Sequence, residues 1–453
     1  MTGEAVDRFT DFALGARYET LPADVRKAAK TFFIDTLAVG IAGSRVESSQ
    51  QVLSTATHWG AGDTATVLGS GALLPTTSAA FVNSFQIHCQ EFDCLHEAAK
   101  VHAMAVLGGA LLANVQEHGC SGKDVLLAVT LGVDVASNLG LAATSGLRFF
   151  RPATAGALGA TAALARLEGF NDQQFRDAWG LAYSQLAGTM QAHVEGSVAL
   201  PIQVAVAARA AITSIQLVRH GISGPHDIME GPFGYIELFE PGANLPPVLE
   251  QLGKTWRVTE LSHKPFPTGR AAQGTLGALQ AMNQEAILDR DQIDHINAYV
   301  PPLVKRLVGR PIQAGMGVNY ARLCLQYLVP VFLKTGTLDT TSFSPELLND
   351  PDILEWGKKV QVLDDDNPDP NALCPQRLEI IFKDGSKKEL QVPNTLGSPQ
   401  NPLSQERQRA KFFHCLEAGG IPEAQTKQLL ALLNDFEQQE NLSEILALSC
   451  AVG

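Results

Sequence analysis

Residues 155–167 read AGALGATAALARL, and this stretch decides the class of fold. Apolar side chains recur at three- and four-residue spacing, with glycine and alanine between them, so the segment is a helix whose axis other helices can approach closely. Such a helix is buried on most sides. Residues 31–41, TFFIDTLAVGI, repeat the pattern, and one helix after another is expected from Val6 to about Leu252. Gly43, Gly119, Gly169 and Gly221 are read as their stops.

Around Lys254 the character changes. TWRVTEL at 255–261 reads as a strand, KPFPTGR at 264–270 as a loop, and 271–284 as a helix; 295–303, 357–364 and 378–392 read as strands, the last turning at Lys383-Asp384-Gly385. GSPQNPL at 397–403 is a breaker-rich linker, after which helical periodicity returns. The expected fold is mainly α. A large helical domain is made from both chain ends, residues 1–254 and 396–453, and a smaller α+β lid domain, 255–395, is inserted between them.

The 453 residues are 45% hydrophobic and 18% charged, enough to bury a large core. A formal charge of −13 opposes nucleic acid and anionic lipid, so neither is an expected partner. An anionic substrate would need a locally basic pocket. The seven cysteines are scattered and never spaced CxxC, which argues against a disulfide framework or a zinc ribbon and for a reducing cytoplasm. No targeting segment is read in residues 1–8. The most apolar runs, such as 103–115, fall short of a membrane span and read as core.

Searches for a phosphate-binding loop, a dinucleotide fingerprint, a nucleophile elbow or HExxH find nothing. Cys89 and Cys94 have no third thiol nearby for an iron–sulfur cluster. What stands out is 87–102, IHCQEFDCLHEAAKVH, where three histidines, three acids and a lysine crowd an otherwise apolar chain. Such density suits acid/base or metal chemistry; the plainer alternative is a solvated helix end, since His96, Glu97 and Lys100 have the spacing of ordinary surface pairs. His88, Glu91 and His96 lack the tight spacing of a zinc set, so no metal and no cofactor is expected. A second candidate is SHKPFPTGR at 262–270, where Lys264 and Arg270 flank a rigid loop and would grip a carboxylate.

These segments, with FIDTLAVGIAG at 33–43, GALGATAAL at 156–164, QVAVAAR at 203–209, EGPFGYI at 230–236, and GSPQNPLS at 397–404 followed by Lys411-Phe412, occur in an order that resembles the MmgE/PrpD family. The resemblance implies a helical domain, a lid, a cleft between them and a homodimer. It also implies metal-independent chemistry on small carboxylates: dehydration of 2-methylcitrate, decarboxylation of cis-aconitate or epimerisation of iminodisuccinate. Each needs a base, an acid and carboxylate clamps around a carbanion-like centre.

Carried over residue by residue, Glu91 and Asp93 stand at the family's first two signature aspartates, Cys94 replaces the third, and Leu95 takes the place of a threonine. His102 matches the signature histidine after a one-residue insertion. Arg151-Pro152 stands where the family has His-Pro. Leu200 and Gln203 replace a lysine and a histidine, Lys264 is kept, Gln273 replaces a histidine, and Tyr327 matches a tyrosine of decarboxylase-like members. Losing a cation from a desolvated clamp costs about 2–5 kcal/mol, so the expected substrate is less anionic or more hydrophobic than 2-methylcitrate.

On this reading His102, Asp93, Lys264 and Tyr327 carry the chemistry of a lyase or isomerase. Glu91, Arg151, Arg270, His88, Gln203 and Gln273 surround the substrate. The alternative is a repurposed member, either a binding protein or a specialised natural-product cyclase or dehydratase.

Overall fold

The stretch 155–167 lies inside the helix Arg151–Leu167, which is buried from Arg151 to Ala165. Its small residues do what the sequence implied. A β-carbon on Gly159 would stand 2.3 Å from the Gly132 carbonyl oxygen, and one on Gly132 would stand 3.2 Å from that of Gly159. Gly132 belongs to the neighbouring helix Gly122–Ala142. The two helices therefore touch backbone to backbone.

This is a computed structural model, and it describes residues 3–369 and 371–451. The helices Ala23–Gly43, Thr76–His88, Ala103–His118, Gly122–Ala142, Arg151–Leu167 and Ala199–Arg219 pack around one core. The helix Gln405–Ala418 lies on Ala23–Gly43, and further along Phe436 meets Phe33 with ring centroids 4.8 Å apart. Both chain ends thus feed the same apolar interior. The helices Gly122–Ala142 and Ala199–Arg219 are, contrary to the sequence expectation, long and apolar enough to cross a membrane; 94% and 61% of their most apolar windows are buried inside the protein.

Gly119, Gly169 and Gly221 follow helices with φ of 62°, 68° and 82°, the left-handed conformation that glycine adopts most easily. Gly43 does not. It is the last residue of its helix, where a β-carbon would meet the Gln86 carbonyl at 1.9 Å, so its role is close helix contact.

A second core, from Phe266 to Ile380, surrounds a four-stranded sheet. Two short pairs precede that sheet, β1 (Ala65–Thr66) with β2 (Leu73–Leu74) and β3 (Leu95–His96) with β4 (Leu261–Ser262). The sheet comprises β5 (Ile293–Val300), β6 (Val360–Asp364), β7 (Gln376–Phe382) and β8 (Lys387–Val392), in the order β6-β5-β7-β8. β7 and β8 form the hairpin expected at 378–392, turning through Gly385 at φ 83°. The strand expected at 255–261 is instead a 3-10 turn, Arg257–Glu260, held because Asp134 accepts a hydrogen bond from the Arg257 amide at 3.0 Å.

Candidate active site

His88 is the last residue of Thr76–His88, and the acidic signature begins as that helix ends. The chain then turns through Glu91, whose φ of 53° is unusual for a residue with a β-carbon. Such strain persists only where surroundings fix it. Lys264 fixes it here: Nζ donates to the Glu91 carbonyl at 3.1 Å and to its Oε2 at 2.9 Å. Lys264 is fully buried and follows β4, which pairs with β3 through Leu95↔Ser262 and His96↔Leu261. Four residues of strand pairing thus bring the two candidate segments of the sequence together.

Asp93 is the hub. His102 Nδ1 donates to its Oδ2 at 2.8 Å and His88 Nδ1 to its Oδ1 at 3.1 Å, while the rings cross at 73° with centroids 4.9 Å apart. With both Nδ1 atoms committed to the carboxylate, each Nε2 is turned elsewhere. That of His88 is buried without a hydrogen-bond partner, 3.7 Å from Glu91 Oε1. His102 reaches a cleft.

Burial alone would raise the pKa of Asp93, but His88, His102 and Lys264 outweigh it and hold the carboxyl well below the usual range. The same contest, decided by Lys264 and then the histidines, brings Glu91 down to about 2. Burial is also the largest influence on both imidazoles. It prevails at His102, pushing the pKa below 6.5; at His88, Asp93 and Glu91 together overcome it and pull the pKa above 6.5. Two histidines on one carboxylate are therefore driven apart, one toward the neutral base and one toward the proton-holding form.

The cleft, of about 80 Å³, lies between the two cores. Glu91, Lys100, His102, Arg151, His193 and Arg270 contribute to its walls, and Leu147, Phe150, Met190, Leu307, Leu323 and Leu373 supply much of the rest. His88, Asp93 and Lys264 adjoin Glu91 and His102 without lining it.

The two arginines expected as clamps are occupied. Arg151 Nε donates to Glu240 Oε1 at 2.6 Å and its Nη2 to Oε2 at 3.2 Å, both side chains being buried. Arg270 Nη2 meets Glu97 Oε1 at 2.7 Å, and the guanidinium also reaches the carbonyls of His263, Thr395 and Leu396. Their charges are already matched by internal carboxylates far away in sequence. Gln273 donates to the carbonyls of Phe266 and Thr268, so it shapes the loop after Lys264, and Gln203 donates to the Thr189 carbonyl at 3.3 Å. Neither lines the cleft. Tyr327 is buried in the second core, with its hydroxyl donating to the Ser342 carbonyl at 2.7 Å, and is not brought to the histidines.

Two cleft residues escaped the sequence reading. His193 is a lone histidine in AHVEGS with nothing nearby to mark it; burial, then Arg310, holds its pKa down at about 4. Lys100 was visible only as part of the crowded 87–102 stretch. The helix end considered for that stretch is instead a short hairpin, closed between His96 and Val101.

His88, Asp93 and His102 place donor atoms within 4.8 Å of one another, a spacing open to a metal ion. The arrangement suits proton chemistry better. Both Nδ1 atoms are spent on Asp93, and the Lys264 ammonium stands 4.0 Å from Asp93 Oδ1, a like charge beside any incoming cation.

The model of the MmgE/PrpD N-terminal domain matches residues 7–247 and that of the C-terminal domain residues 266–435. The cis-aconitate decarboxylase-like protein oryM of Aspergillus oryzae is 26% identical, over 94% of this chain and 93% of its own. The cis-aconitate decarboxylase of Mus musculus is 26% identical over 91% and 86%, and that of Aspergillus terreus 25% over 96% and 94%. With a family model matched on each side of the β4 segment that joins the two halves of the site, the chain belongs to the MmgE/PrpD family.

Proposed function

We propose that this protein is a lyase or isomerase acting on a small carboxylic acid, and that His102 Nε2 takes the proton from the carbon next to the carboxylate. The observation that carries this is the Asp93 bridge, which fixes His102 through Nδ1 and leaves its other nitrogen for the cleft. Asp93 would stabilise the imidazolium formed, and the field of Lys264 the enolate charge. In dehydration hydroxide then leaves the adjacent carbon and in epimerisation the proton returns to the other face, whereas in decarboxylation carbon dioxide leaves in place of the proton and His102 delivers a proton to the carbanion so formed. The names of the relatives support decarboxylation as the reaction. Leu200 and Gln203, together with the occupied Arg151 and Arg270, support a less anionic substrate.

The exposed apolar side chains Trp59, Val194, Val198 and Phe233 support a homodimer; light scattering at the mass of one chain would remove that part.

The test is exchange in deuterated water with 2-methylcitrate, citrate, cis-aconitate and alkylated relatives. Deuterium entering next to a carboxylate, and lost in His102→Ala and Lys264→Ala, is the expected result. No exchange with any acid, together with tight binding of an uncharged ligand, would favour the repurposed binding protein instead.

A further inference from the structure

Among the described residues lining the cleft, the fixed charges can be accounted for one by one. Glu91 is matched by Lys264, Arg151 by Glu240 and Arg270 by Glu97. Lys100 remains. Among the described residues no carboxylate comes within 4.0 Å of its Nζ, which donates to the Ala98 carbonyl at 3.2 Å; Asp369 and Glu97 act on it from farther away.

The backbone that presents Lys100 is built with unusual care. Residues 96–101 form a tight hairpin in which the His96 amide donates to Val101 O at 2.9 Å and Lys100 N to Glu97 O at 3.2 Å. Lys100 itself adopts φ 55°, a conformation unfavourable for a residue with a β-carbon. Each limb is tied down from elsewhere. His96 Nε2 meets Glu260 Oε2 at 2.8 Å, Glu97 Oε1 accepts from Ser262 Oγ at 2.5 Å and from Arg270, and the Ala99 carbonyl accepts from Arg151 Nη1 at 3.4 Å. Gly140 lies under the same turn, where a β-carbon would come within 2.7 Å of Ala99 O. The two arginines thus hold the turn that carries the unmatched lysine.

We propose that Lys100 anchors the single carboxylate of an otherwise apolar substrate, a monocarboxylate with an aliphatic or aromatic remainder, and that Arg151 and Arg270 act as positioning residues for its hairpin. The cleft gives such a molecule one free cation and, around it, Leu147, Phe150, Met190, Leu307, Leu323 and Leu373. A di- or tricarboxylate would bring charges with no unmatched cation left among the lining residues to meet them. Burial, reinforced by Arg151, pushes the Lys100 pKa down against the weaker pull of the Asp369 and Glu97 carboxylates, so its ammonium still gains from a carboxylate in direct contact. The inference deepens the proposed reaction by naming its substrate class, but it is tested by binding and needs no turnover.

The experiment is calorimetric titration of the full chain with hexanoate, hexanol and propane-1,2,3-tricarboxylate. Wild type should bind hexanoate more tightly than the tricarboxylate. Lys100→Met should weaken hexanoate by about tenfold or more while leaving hexanol within about twofold, and Lys100→Arg should restore most of the loss. Retained hexanol binding shows that the variant is folded; should Lys100→Met fail to fold, Lys100→Gln takes its place. Tighter binding of the tricarboxylate, no hexanoate binding by wild type, or equal hexanoate affinity without the lysine would each overturn the assignment. Deuterium exchange into a tricarboxylate that depends on His102 but not on Lys100 would remove this inference and leave the proposed chemistry standing.

Discussion

His102 Nδ1 and Asp93 Oδ2 stand 2.8 Å apart, and the Asp93 side chain has no exposure to solvent. That bond sets the tautomer of the imidazole and supplies the charge that balances it once protonated. Asp93→Asn keeps the volume and removes the charge, so deuterium exchange should fall by about 10²–10⁴, close to the loss in His102→Ala. An Asp93→Asn protein with exchange near wild type would exclude His102 as the base.

Lys264 and Glu91 form a pair in which the lysine is wholly buried and the glutamate nearly so. Breaking such a pair from one side leaves an uncompensated charge. Glu91→Gln and Lys264→Met should each destabilise the protein by about 3–5 kcal/mol, and the double change Glu91→Gln/Lys264→Met by less than their sum. Denaturant titration of the four proteins measures the coupling; strict additivity would mean that the two charges do not depend on each other.

Between pH 7 and 5 acid should destabilise the fold through three buried histidines, against the opposite pull of His88 and of Asp134, whose carboxyl burial pushes up to about 8. His102 is depressed below 6.5, and His193 and His263 lie at about 4, chiefly through burial. Unfolded, each takes a proton near pH 6.5 that the native form refuses, so their contribution is full above that pH and falls as pH drops toward the folded pKa. Each buried neutral histidine costs up to about 1.4 kcal/mol per pH unit in this window. His88, raised, acts oppositely: its contribution is present below pH 6.5 and is lost as pH rises through its folded pKa. Below pH 4, Glu91 and Asp93 add a further acid loss, because their depressed carboxyls must be protonated. Melting temperature should therefore decline from pH 7 to 5, and less steeply in His263→Asn; a flat profile would contradict the neutral assignment.

Tyr327→Phe should separate packing from chemistry. Its hydroxyl bonds only the Ser342 carbonyl, so the change should cost about 1 kcal/mol of stability and leave exchange kinetics unaltered. A large fall in rate at unchanged stability would return the tyrosine to the reaction.

How far the sequence carries is clear from particular residues. Gly132, Gly159 and the Lys383-Asp384-Gly385 turn follow from local rules: small residues admit a neighbouring backbone, and a turn residue ends a strand. His88, Asp93, His102 and Lys264 came together because their segments stood out by composition. The fate of Arg151 and Arg270 did not show, because their partners lie 89 and 173 residues away and no spacing rule links such positions. Lys100 was not separated from the rest of 87–102, because the spacing that would suit a solvated helix end is also the spacing of this hairpin.

The site also has a brace from the far end of the chain. Lys411, on the helix Gln405–Ala418, pairs with buried Asp35 at 2.7 Å and donates to the carbonyl of Phe92 at 2.9 Å, across a separation of 319 residues. Phe92 is the residue before Asp93, so the carboxylate that orders both histidines is steadied by a helix synthesised well after them. A growing chain carries its histidines long before it carries that lysine. We therefore expect competence to wait for that helix, with chains halted before residue 405 lacking exchange activity even where their earlier helices have formed.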